Sequence, residues 1–178
     1  MKSVDISHII KSLQNLTEEE KYDKLYELIK IGAADVVDYL IKSGLDVNIK
    51  YGFNGKTPLL QSAIHGQYNV AKTLIDNGAD VNKVDDDGES PLMFAVIVES
   101  IPIINLLIKS GANINHQDKN GLTALHKAVL TDNTDVVNFL LGQKKSRAYI
   151  KDNEGKTPLY YARSGGNKEI ISNIMYHW

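Results

Sequence analysis

The sequence predicts an all-α solenoid of about five stacked helix-turn-helix units, and three blocks repeating in phase predict it. GKTPLLQSAIHG from Gly55, GESPLMFAVIVE from Gly88, GLTALHKAVLTD from Gly121 and GKTPLYYARSGG from Gly155 share one pattern, their first glycines 33, 33 and 34 residues apart. VVDYLIKSG, VAKTLIDNG, IINLLIKSG and VVNFLLGQK, ending at Gly44, Gly78, Gly111 and Lys144, recur in phase with it. The third block, Gly-Ala/Leu-Asp/Asn-Val/Ile-Asn, starts at Gly44, Gly78 and Gly111. Self-similarity at such a period marks supersecondary units that bury their apolar faces against one another.

In chain order, VDISHIIKSLQNL within residues 1–22 reads as an amphipathic helix capping one end of the stack. Thr17-Glu18-Glu19-Glu20 is a capping box, opening a helix through Lys30 with Leu25, Leu28 and Ile29 inward. Thr57, Ser90, Thr123 and Thr157 precede later helices, where a hydroxyl accepts from unpaired first-turn N–H groups. Pro58, Pro91 and Pro158 follow at the first helical position, which needs no N–H. Gly44, Gly78 and Gly111 end second helices, where the chain turns left-handed. Leu59, Ala63, Val70, Leu74 and Ile75 fall on faces that neighbours must cover. The units run about 23–55, 56–88, 89–121, 122–155 and 156–178, one domain.

These blocks, approximating D-x-x-G-x-T-P-L-H-x-A and then G-A-D-V-N, resemble the units of ankyrin-repeat proteins over about residues 23–178. The resemblance implies two antiparallel helices and a β-turn finger per unit, with fingers and first helices lining a concave surface that binds proteins. Departures from the pattern mark irregularities. Glu99-Ser100 replaces a mid-unit Gly, and Pro102 opens a second helix. Lys144 fills a Gly slot, and GQKKSRAYIKD carries one extra residue, so that finger is expected to be distorted. An insertion also marks the first finger, where Gly52 replaces the usual Asp.

Composition narrows the function classes. The formal charge of −2 gives no basic field for nucleic acid. No cysteine is present, which excludes disulfides, thiolate zinc sites and cysteine nucleophiles. No run approaches the roughly twenty apolar residues of a membrane span, and the N-terminus has no signal-peptide pattern. A cytoplasmic protein is expected, secretion as an effector remaining open.

Motifs for chemistry fail on spacing. Asp85-Asp86-Asp87-Gly88 suggests a calcium loop, but its first and last ligand positions hold Lys83 and Phe94. Gly55-Lys56-Thr57 and Gly155-Lys156-Thr157 lack the earlier glycine of a phosphate loop, Lys50 and Ile150 standing there. His8, His65, His116, His126 and His177 show no ligand spacing, and the resemblance gives His126 a structural role. Lys144, Lys145, Arg147 and Lys151 read as a solvated loop or as a contact for phosphate or an acidic partner. No catalytic residue, metal ligand or cofactor is expected.

Mapped onto this chain, the family's exposed slots give the partner-binding candidates. They are Phe53, Asn54 and Lys56 on the first tip, Asp86, Asp87 and Glu89 on the second, and Lys119, Asn120 and Leu122 on the third; Asn153, Glu154 and Lys156 fill the same slots on the fourth tip without being counted among the candidates. On the first helices they are Ile64 and His65, Ile97 and Val98, then Leu130. The aliphatic members either pack between units or form an apolar strip rimmed by Phe53, the acidic tip and Lys119. The expectation is a monomeric, non-catalytic module that binds another protein, without nucleic acid or membrane, as an inhibitor or effector. The alternatives are an enzyme or small-ligand binder using the concave groove, and a self-associating scaffold.

Overall fold

Thr57, Ser90, Thr123 and Thr157 start their helices as expected, each side chain accepting the N–H three residues on. In the computed structural model, which describes Leu13 and residues 16–177, ten α-helices follow in pairs. They are α1 (Glu18–Ile31), α2 (Ala34–Lys42), α3 (Pro58–Ile64), α4 (Tyr68–Asp76), α5 (Pro91–Ile97), α6 (Ile101–Lys109), α7 (Ala124–Leu130), α8 (Thr134–Leu141), α9 (Pro158–Gly165) and α10 (Lys168–Tyr176). Most of the proposed N-terminal capping helix lies outside the described residues. Leu13 is buried, and its carbonyl accepts from Leu16.

The odd-numbered helices pack side by side in one row, and in the second row α2 meets α4, α4 meets α6, and α8 meets α10. The core lies between the rows. Leu59, Ala63, Val70 and Leu74 are buried as the 3.6-residue period requires, together with Met93, Ile103, Ile104 and Leu107 of the next unit. The capping box at Thr17 and Glu20 forms, with Leu25, Leu28 and Ile29 buried.

Successive units are joined at a second level by asparagines. Asn48, Asn82 and Asn115 each donate from Nδ2 to a carbonyl of the next unit, Gly78, Gly111 and Lys145, at 3.2, 3.2 and 2.7 Å. Each accepts in return on Oδ1 from the N–H of Asp80, Asn113 and Arg147. The side chain thus takes both the donor and the acceptor role of a backbone rung.

The expectation of a distorted fourth finger is corrected by this ladder. α8 closes on Gly142, Lys144 does not take the left-handed φ of Gly44, Gly78 and Gly111 in the same slot, and an extra turn from Gln143 to Ser146 takes up the additional residue. Arg147 is back in register on Asn115, and the tip beyond it has the regular geometry. The irregular finger is the first, where Phe53–Gly55 forms a 3-10 turn and Tyr51 donates to the Lys56 carbonyl.

Candidate functional site

The finger tips are built by aspartates acting two and four residues ahead. Asp85 Oδ1 accepts from the N–H groups of Asp87 and Glu89 at 3.0 and 2.9 Å. Asp118 does the same for Asn120 and Leu122, and Asp152 for Glu154 and Lys156. One backbone rung then ties each tip to the next. Asp86 N–H donates to the Asn54 carbonyl at 3.1 Å, Lys119 N–H to Asp87 at 3.1 Å and Asn153 N–H to Asn120 at 3.0 Å. The approach is close enough to demand glycine: at Gly121, with φ +78, a Cβ would stand 2.6 Å from Asn153 N.

These contacts divide the candidate residues. Phe53 is 92% exposed, and Asp86, Asp87, Lys119 and Asn120 are also exposed. Asn54 is turned toward Asp87 by a side-chain hydrogen bond, and Asp86 meets Lys50 at 3.0 Å. Lys56 points inward, 2.7 Å from the buried Asp85 and 4.4 Å above the Phe94 ring. Glu89 is held by Lys127 at 2.7 Å, and Lys127 also reaches Asp118 at 2.9 Å. Burial alone would pull the Lys127 ammonium down, yet bonds to Glu89 and Asp118 raise its pKa overall. Leu122 is half-buried. The acidic tip therefore offers outward only Asp86 and Asp87.

On the odd-numbered helices the apolar strip is exposed. Ile97, Val98 and Leu130 retain 39%, 38% and 52% of their surface, and Ile64 is half-buried beside an exposed His65. Ile64, Ile97 and Leu130 each close a helix at the same phase of consecutive units, so packing side by side aligns them. Ile31, 72% exposed at the end of α1, extends the strip and was missed in the sequence. The signal was Gly32, a positive-φ glycine standing 34 residues before Gly66, which places Ile31 in phase with His65.

His126 is fully buried and structural. Its Nδ1 accepts from Thr123 N–H at 3.1 Å and its Nε2 faces the Lys156 carbonyl at 3.2 Å. Burial lowers its pKa, the Lys156 carbonyl and the Asp152 and Asp118 carboxylates opposing the shift. Among the described residues no cluster of His, Cys, Asp and Glu is placed to hold a metal, and no helix is long and apolar enough to cross a membrane.

A family model described as ankyrin repeats (3 copies) matches the chain over residues 8–85, 25–118 and 92–177. Among curated proteins, none matches.

Proposed function

Because the chain belongs to the ankyrin-repeat family, whose repeats are generally protein-protein interaction modules, we propose that it is a non-catalytic module that binds one partner protein as an inhibitor or effector. The observation that carries this reading is the aliphatic strip of Ile97, Val98 and Leu130, open to solvent at one phase of consecutive units. Apolar side chains centred on a face and rimmed by charge are the anatomy of an interface. Ile64, His65, Phe53, Asn54, Asp86, Asp87, Lys119 and Asn120 form its surroundings. Lys56, Glu89 and Leu122 act from beneath by holding the tips.

The chain works as a monomer in the cytoplasm, with neither nucleic acid nor membrane as partner; the absence of cysteine and a net charge of −2 support this. The test is affinity capture from the native host with wild-type protein and an Ile97→Lys/Leu130→Lys double variant. A lysine stem keeps the packing of the partly covered positions while its ammonium blocks an apolar interface. The partner should be retained by wild type and lost by the variant, with the melting temperature within about 3 °C. Equal retention by both overturns the strip as the binding surface.

A further inference from the structure

Three observations converge on the aliphatic strip and narrow what it can hold. The first is its step. Ile64, Ile97 and Leu130 close α3, α5 and α7, which pack side by side, and helices in such contact stand about 8–10 Å apart. On an α-helix laid across them, residues seven apart advance about 10.5 Å and return to nearly the same face, so one apolar residue per heptad meets each unit. An extended chain advances about 6.7 Å between residues of one face and is out of step by the second unit. The second is a cleft at the next step. Ser164 and Gly165 stand 34 residues after Leu130 and Thr131. With Leu130, Asp132 and Ala162 they line a cleft of about 390 Å³ between α7 and α9. Small side chains there leave room for a bulky apolar residue.

The third is charge. Glu99 and Asp132 take the turn positions of Gly66 and Gly166 at φ +58 and +55, a conformation that favours glycine. Each sets an exposed carboxylate beside the strip, one residue after Val98 and two after Leu130. Among the described residues neither pairs with a Lys or Arg, and Asp132 accepts from Asn167 at 2.8 Å. Beyond the other end of α5 the tip exposes Asp86 and Asp87, opposed by Lys119 on the next tip. Lys127, one turn before Leu130, is occupied by Glu89 and Asp118. The strip is therefore edged chiefly by negative charge.

We infer that the strip receives an amphipathic helix of a partner protein, about 22 residues long, with apolar side chains in one stripe and Lys or Arg along its edges. The helix crosses α3, α5, α7 and α9. It sets an apolar side chain on each of Ile64, Ile97 and Leu130, places a fourth in the cleft, and brings its cations to Glu99 and Asp132. The inference rests on the strip being the binding surface and adds the form and charge of what binds there.

The test is fluorescence anisotropy on the full chain with three labelled peptides of about 22 residues. The first, of Leu, Ala and Lys, carries its leucines in one stripe repeating every seven; the second has the same composition with Leu and Lys alternating; the third is the first with Glu in place of Lys. The first should bind more tightly than either control, on the order of tenfold, and circular dichroism should show more helix in the complex than in its separate parts. Ile97→Lys/Leu130→Lys should weaken it on the order of tenfold, and so should removal of one heptad. Glu99→Gly/Asp132→Gly should weaken it on the order of fivefold without lowering the melting temperature, since both positions favour glycine. The inference is overturned if either control binds as tightly, if no helix is gained, or if the lysine variant binds as wild type. Affinity capture tests the strip separately: a partner lost by the lysine variant, together with equal binding of the three peptides, removes the helix and leaves the strip standing. A dimer seen in light scattering and abolished by Ile97→Lys/Leu130→Lys would overturn the inference too, assigning the strip to a second copy.

Discussion

His126 shows how much one side chain carries in this fold. It is neutral by construction, with one ring nitrogen accepting from Thr123 and the other facing the Lys156 carbonyl. In the unfolded chain the imidazole takes up a proton near 6.5, and in the folded protein burial lowers that value. The unfolded state therefore binds more protons below about pH 6.5, and stability falls as pH decreases through that point until the folded imidazole also protonates. Melting temperatures from about pH 7.5 to about pH 5 should show this decline, and His126→Gln should flatten it. His65, whose pKa is lowered by burial and by Lys30, accounts for part of the remaining slope. Caps such as Thr57 and Thr123 were legible in the sequence because a hydroxyl acts within three residues. Partners 29 or 38 residues away were not: the repeat marks Asp85 as a turn residue without showing Lys56 upon it, and leaves Glu89 among the exposed tip residues until Lys127 is placed on it.

Lys127 couples elements. From α7 it reaches Glu89 on one finger and Asp118 on the next, and the Asp118 side chain is 1% exposed. Lys127→Met leaves that carboxylate buried without its cation, which should cost about 3 kcal/mol. Thermal melts should show a drop of roughly 10 °C. Glu89→Gln, which spares the Lys127–Asp118 pair, should cost much less. A small loss in the methionine variant would mean that water reaches Asp118. Helix starts were legible because Thr or Ser followed by Pro is a local signal. The insertion near Lys144 is legible to within a few residues, but the segment's own pattern points to a distorted finger where the helix end yields instead. Which side yields depends on Asn115, whose two hydrogen bonds hold the finger in register and leave the slack to Gln143–Ser146. No pattern confined to that segment contains this information.

At the scale of the molecule the period specified the architecture, because stacked units can bury their faces only against their neighbours. The period does not determine which side chains remain outside: Ile97, Val98 and Leu130 are exposed because neighbouring units pack beside rather than over them. Burial is uneven along the stack. Met93, Ile103, Ile104 and Leu107 are completely covered in the third unit, whereas the last unit buries chiefly Pro158, Ala162, Ile170 and Ile174 and leaves Tyr160, Met175 and Tyr176 exposed. Amide hydrogen exchange should accordingly be slowest in α5 and α6 and fastest in α10. Uniform protection would instead mean that all units open together. The asparagine ladder has a further, mechanical consequence. Its rungs join each unit to the next, so they lie along the direction in which the units are stacked. A load applied along the stack passes through every junction in series, the weakest yielding first. The molecule should lengthen by peeling, each detached unit of about 33 residues releasing about 110 Å of chain, while the units still attached keep their rungs and their shape.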